Sequence, residues 1–205
     1  MNRNKIFQTT AQIISLVLFG VLLLTGKIQL WMGIFLASIV AALFFSRFYC
    51  GWICPTNTVM KIVTKVKHRF KLKSMSVPEV IKKPVFRYGM LGALVVAFVI
   101  MMVSGKRLPV LPFLFATGTL LTVFFPESLW HRYLCPYGAI INLTGAKAKK
   151  HLRINLDNCI ECGLCRKVCP GGAINDTGEY LIDKGLCLTC FECAYHCPKQ
   201  AIHYQ

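Results

Sequence analysis

Eight of the eleven cysteines in this 205-residue chain fall into two copies of one pattern, C-x2-C-x2-C-x3-C-P. Cys159, Cys162, Cys165, Cys169 and Pro170 form the first copy. Cys187, Cys190, Cys193, Cys197 and Pro198 repeat it twenty-eight residues later. The duplication extends past the cysteines, because Ile154 matches Ile182 and Ala173-Ile174 matches Ala201-Ile202. Such a repeat builds two similar halves related by a pseudo-twofold. Thiolates at these intervals suit a [4Fe–4S] cubane. A compact loop wraps three of them around three iron corners, and the fourth, next to a proline and a turn, reaches the other cluster. The expected ligands are Cys159, Cys162, Cys165 and Cys197 for one cluster, and Cys187, Cys190, Cys193 and Cys169 for the other. Gly163, inside the first loop, lets backbone N–H groups approach sulfur and so helps set the potential. Zinc is the weaker reading, since its sites use a single set of four ligands with longer gaps between the pairs.

The elements that position these thiols divide the chain near residue 150. Apolar residues make up 55% of the whole and mean hydropathy is +0.54, too high for an ordinary soluble domain. Four charge-free windows lie at 6–26, 28–46, 88–105 and 108–126. Each approaches the ~20 apolar residues that a spanning helix needs. Pro109 and Pro112 fall at the start of the fourth, where a first helical turn tolerates proline. A signal peptide is the competing reading of the first window. No small-residue cleavage site follows Leu24, however, and a second apolar run begins at once, so a retained helix is expected.

The net charge of +16 is concentrated before residue 151, where 19 Lys and Arg face only Glu79 and Glu127. It sits in the connections between apolar windows, which suits a membrane surface and disfavours a nucleic-acid groove. Ten of these positives lie between Arg47 and Arg87. Arg3 and Lys5 precede the first window, whereas the two short opposite connections hold Lys27, and Lys106 with Arg107. The positive-inside rule then puts both termini, the long connection and the C-terminal segment in the cytoplasm. Iron-bound thiolates need the same reducing compartment. Within the long connection Val59, Ile62, Val63, Val66 and Phe70 recur at helical spacing, with Lys61, Lys65, Arg69 and Lys73 on other faces. This predicts a basic amphipathic helix on the inner leaflet. The expected architecture is an α-helical membrane domain over 1–150, with four transmembrane helices as a duplicated hairpin, and an α+β 2[4Fe–4S] ferredoxin domain over 151–205.

Cys50, Cys54 and Cys135 remain. Cys50 to Pro55 reads C-x3-C-P after the second window, and His131 to Pro136 reads H-x3-C-P after the fourth. These four side chains offer ligands for a third iron–sulfur centre, since imidazole can replace thiolate on iron. The alternative is that they are small buried residues at tight turns. Glu127 and His131 are the ionisable groups placed to accept a proton from a quinol at that interface. Trp130, Tyr133 and Tyr137 read as interfacial anchors.

The C-terminal segment resembles bacterial-type two-cluster ferredoxins. The whole pattern resembles the membrane polyferredoxins of the NapH/NosR type, which accompany periplasmic nitrate and nitrous-oxide reductases. That family usually carries a cysteine where this chain has His131. The resemblance implies electron transfer between a soluble ferredoxin-like donor or the quinol pool and an extracytoplasmic redox subunit bearing haem, flavin or iron–sulfur. The setting it implies is a bacterial or archaeal cytoplasmic membrane, within a quinol dehydrogenase complex. A redox sensor, or a maturation factor that reduces metal for an exported enzyme, is the alternative. No Rossmann or P-loop glycine motif supports nucleotide chemistry here.

Overall fold

In the computed structural model, residues 3–105, 109–175 and 180–205 are described. Lys106, Arg107 and Leu108, to which the sequence assigned a connection and the start of the fourth window, lie outside them. The chain divides into two compact units: Met1–Thr58 with Ile141–Gln205, and Val59–Ile140.

In the first unit, α1 (Arg3–Leu24) and α2 (Gln29–Phe45) are apolar helices joined at Gly26, whose φ of +69° closes the end of α1. The aromatic rings of Phe19, Trp31, Phe35 and Tyr49 interlock across them, and Trp31 Nε1 donates to the Tyr49 hydroxyl at 2.8 Å. α2 stops at Ser46, whose φ of +59° and ψ of −148° leave the helical regions altogether, and the short helix α3 (Phe48–Trp52) follows. Pro55 then opens α4 (Pro55–Arg69), where its missing N–H costs nothing.

The C-terminal part of this unit has the expected twofold repeat. Strand β1 (Leu152–Ile154) pairs antiparallel with β4 (Ile202–Tyr204), setting Ile154 against Ile202. Strand β2 (Ile174–Asn175) pairs with β3 (Leu181–Ile182), setting Ile174 against Ile182. These are equivalent pairs, because the repeat maps Ile154 onto Ile182 and Ile174 onto Ile202, and so carries one pair onto the other. The core beneath is Leu152, Ala173, Ile174, Leu186 and Ile202, with Cys187 and Cys193.

In the second unit, α5 (Pro84–Ser104) ends at Gly105, which takes the left-handed conformation and donates to Met101 O. α6 (Val110–Phe124) packs Leu114 with Met60 and Trp130, and a Cβ at Gly118 would press on both of the latter. A π-helical turn, Leu129–Leu134, leads to α7 (Pro136–Gly145). Lys67 of α4 is buried and its Nζ donates to Thr122 O at 2.9 Å and Phe125 O at 3.2 Å. A cation there satisfies carbonyls that the end of α6 leaves open. The helical periodicity of this segment left Lys67 unassigned; it points inward, while Ile62, Val66 and Phe70, expected on the apolar face, are exposed.

Two of the four apolar helices, Asn4–Leu24 and Pro84–Ser104, are long and apolar enough to cross a membrane. Gln29–Phe45 and Val110–Phe124 are shorter.

His151 extends the β1–β4 pairing through two backbone bonds with Gln205, and its Nε2 accepts from Arg153 Nε at 3.1 Å. Burial, then the charges of Lys184 and Arg153, holds its pKa below the usual 6.5. The folded chain thus binds fewer protons than the unfolded one just below pH 6.5, and stability falls as pH drops through that window. Replacing His151 with Gln is expected to flatten this part of the pH–stability profile, read by thermal unfolding between pH 7 and about pH 5.

Candidate iron–sulfur sites

The eight motif cysteines line two separate cavities, and each cavity draws on both motifs. Cys159, Cys162 and Cys165 share the first with Cys197, among Ile154, Tyr180 and Ile202. Cys187, Cys190 and Cys193 share the second with Cys169, among Leu152, Ile174 and Leu188. This exchange follows from the paired strands, which bring the end of each half beside the loop of the other.

The two loops have the same backbone. Glu161 (φ +51°) and Gly163 (φ +71°) are left-handed in the first, and Thr189 (φ +52°) and Phe191 (φ +59°) are left-handed in the second. After the fourth cysteine the match continues with Gly172 (φ +57°) and Gln200 (φ +50°). Alternating right- and left-handed residues turn successive N–H groups toward one point, which makes an anion-binding concavity. The conformation costs a non-glycine residue about 1–2 kcal/mol. Gly163 avoids that cost, yet its counterpart is Phe191, so the loop does not require glycine there. Backbone donors also reach the fourth sulfurs. Ala173 N–H meets Cys169 Sγ and Ala201 N–H meets Cys197 Sγ, both at 3.3 Å.

The surroundings of the two cavities differ. Cys187, Cys190 and Cys193 are buried, while Cys162 is exposed and Cys159 and Cys165 are half-buried. Burial pushes the Cys187 thiol up to about 12, and Cys193 and Cys165 shift the same way for the same reason. Thiols this reluctant to ionise give up protons only to a strongly charged guest, so iron binding there must release protons. Among the described residues, no three His, Cys, Asp or Glu side chains converge as the ligands of one metal ion do. A cubane asks for less convergence, since each thiolate meets its own iron corner. Spaced thiols with inward N–H groups fit that guest.

The second loop rests on the turn after α2. Ser46 Oγ donates to Lys184 O at 2.7 Å, and Trp52 Nε1 donates to Thr189 O at 3.0 Å. A Cβ at Gly51 would overlap the Leu188 carbonyl oxygen. The Gly51 carbonyl in turn accepts from Gln8 Nε2 at 3.1 Å and Gln12 Nε2 at 2.7 Å. Lys5 lies 3.9 Å from the Glu192 carboxylate and over the Tyr195 ring. Gln8 and Gln12, like Ser46 and Trp52, were absent from the sequence-derived site. The i, i+4 spacing of two amides in an apolar helix was the available signal.

Of the other candidate ligands, Cys50 is buried in α3 and Cys54 is half-buried, just ahead of α4; both belong to the first unit. His131, Glu127 and Cys135 belong to the second. His131 is buried within the π-helical turn, and Glu127 is buried and acts electrostatically on Lys67. Cys135 Sγ accepts from Gly138 N–H at 3.3 Å, as the fourth ferredoxin cysteines do from their own turns. Burial and the neighbouring Cys135 push the Tyr137 hydroxyl up to about 12.

A family model described as a 4Fe-4S binding domain, Fer4_5, matches residues 28–73 and 107–155, and Fer4, with the same description, matches 152–175. Protein MJ0749 of Methanocaldococcus jannaschii is 31% identical over 82% of this chain and 68% of its own length. Ferredoxin-type protein NapH of Haemophilus influenzae is 26% identical over 78% of this chain and 62% of its own. Protein NirI of Paracoccus denitrificans is 32% identical over 77% of this chain, which spans only 26% of that relative. Regulatory protein NosR of Stutzerimonas stutzeri also matches. No solved structure matches the chain. Apolar helices, cysteine-lined cavities and these relatives define an iron–sulfur electron-transfer protein of the membrane. Within that class, the chain belongs to the NapH/NosR-type polyferredoxin family.

Gly51 lies against backbone, so the contact cannot be relieved by a side-chain rotation. The Gly51→Ala substitution should cost about 1–3 kcal/mol or more and displace the Lys184–Cys190 loop. Iron content and EPR of the purified variant should show the centre at Cys187 lost or altered while the centre at Cys159 persists.

Proposed function

We propose that this chain is a one-electron relay subunit holding two [4Fe–4S] clusters on the cytoplasmic side of a four-helix membrane domain. Cys159, Cys162, Cys165 and Cys197 hold one cluster; Cys187, Cys190, Cys193 and Cys169 hold the other. The observation that carries this reading is the exchange of fourth cysteines between the two cavities. When bound, each cluster supplies a reversible one-electron couple. The protein supplies its spacing, its N–H donors and its docking surfaces. The exposed thiol of Cys162 suits the first site to exchange with a soluble ferredoxin-like donor, and the buried second site to exchange within the membrane assembly. Extracytoplasmic redox subunits are the expected partners, by analogy with relatives such as NapH.

Four spans remain the reading that best fits the charge distribution. The 15 residues of Val110–Phe124 extend roughly 22 Å as a helix, short of ~30 Å of hydrocarbon. Local thinning of the bilayer accommodates such a deficit.

Paired substitutions test the ligand assignment. Cys162→Ser with Cys197→Ser should leave one intact cubane and about half the iron, because both changes strike one site. Cys190→Ser with Cys197→Ser should leave none. The reverse pattern, read by iron, acid-labile sulfide and EPR, would overturn the exchanged assignment.

Quinol oxidation is a separate reading, favoured by the burial of both Glu127 and His131 beyond the C-terminal end of α6. Glu127→Gln and His131→Ala should each slow quinol-driven cluster reduction by 10²-fold or more, the usual scale for a lost general base. Unaltered reduction in both variants eliminates this reading.

A further inference from the structure

We propose that Arg47 is the counter-ion of the second cluster site, and that its buried positive charge raises the reduction potential of the centre held there. This rests on the assignment of Cys187, Cys190, Cys193 and Cys169 as cluster ligands.

Arg47 follows Ser46 in the turn after α2, and its side chain is fully buried. A guanidinium stays protonated in any protein environment, and burying it without an anion is costly. Its stem packs against Gly145, and Nη1 donates to Gly185 O at a long 3.4 Å. Nε and Nη2 are buried with no hydrogen-bond partner. No carboxylate pairs with Arg47 among the described residues. Five rigid donors have been brought into the interior and largely left unused, which is an expensive arrangement unless an anion arrives.

The anion that fits is the one the thiols imply. Arg47 bonds to the carbonyl two residues before Cys187, and its neighbour Ser46 donates through Oγ to the Cys187 carbonyl at 3.4 Å, so the guanidinium is held beside the loop that carries these thiols. Once four thiolates hold a cubane, the second cavity carries net negative charge among three buried thiols, Cys187, Cys190 and Cys193. Reduction adds one further electron to it. A low-dielectric site penalises that extra charge, and a fixed cation nearby offsets the penalty more in the reduced state than in the oxidised one. The direction follows: Arg47 makes the second centre easier to reduce. Around the first cavity the lining cation is Lys199, whose side chain is on an exposed residue and is screened by solvent.

The test is a redox titration of the purified full chain, followed by EPR. Wild-type protein should titrate two centres. A single centre would refute the two-site reading itself, before any Arg47 variant is made. Arg47→Gln should shift the midpoint of the second centre negative by at least 59 mV, a tenfold change for a one-electron couple. The first centre should not move. Arg47→Lys, which keeps the charge, should stay closer to wild type than Arg47→Gln. An unshifted second midpoint in Arg47→Gln, with both clusters present, overturns the inference. If Arg47→Gln instead loses the second cluster, Arg47→Lys decides. Restored iron and a near-wild-type midpoint support the charge role, and equal loss assigns Arg47 to packing alone.

Discussion

The loop that carries Cys187 and Cys190 is seated backbone against backbone on the turn between α2 and α4. Gly51 has no side chain where the Leu188 carbonyl passes, and Ser46 and Trp52 each donate to a loop carbonyl on either side of that contact. The seat is itself fixed from below by two glutamine amides of α1 that share the Gly51 carbonyl. Most features of the first unit follow from this one approach. The buried thiols, the strained left-handed residues Thr189 and Phe191 and the inward Arg47 all lie within a few residues of it. Close backbone packing excludes water, and water exclusion gives both the high thiol pKa and the strength of a nearby fixed charge their physical basis.

The two halves of the ferredoxin segment share a backbone yet differ in environment. Their left-handed positions correspond one for one, as do the N–H contacts to Cys169 and Cys197. What distinguishes them lies outside the repeat. One loop faces the α2–α3 turn and stacks Phe191 near Trp52, Tyr195 and Tyr204. The other leaves Ile160, Cys162 and Leu164 exposed. Duplication thus supplies two similar cages, and tertiary contacts make them unequal.

Much of this was legible in the chain itself. Cysteine spacing anticipated which thiols line each cavity, because the motif's short fixed intervals survive in one dimension. The strand equivalence of Ile154 with Ile182 was visible for the same reason. The apolar windows anticipated α1, α2, α5 and α6, and helical periodicity anticipated α4, although not the inward turn of Lys67. What escaped were the contacts with long sequence separation. Arg47 resembles any other positive charge flanking an apolar run. Its burial depends on a loop some 138 residues away, and no local pattern encodes that. Gly163 drew notice because glycine so often marks a left-handed turn, whereas Phe191 hid the same conformation behind a bulky side chain.

The seat at Gly51 also constrains how the protein is made. Ser46 and Trp52 find their acceptors 138 and 137 residues further along the chain. A ribosome must therefore have passed Thr189 before the turn after the first pair of helices can finish its polar contacts. Contacts so distant in sequence form late and slowly. Until then, a greasy hairpin waits with an open cradle, and the same late closure that fills the cradle seats the loop bearing Cys187 and Cys190.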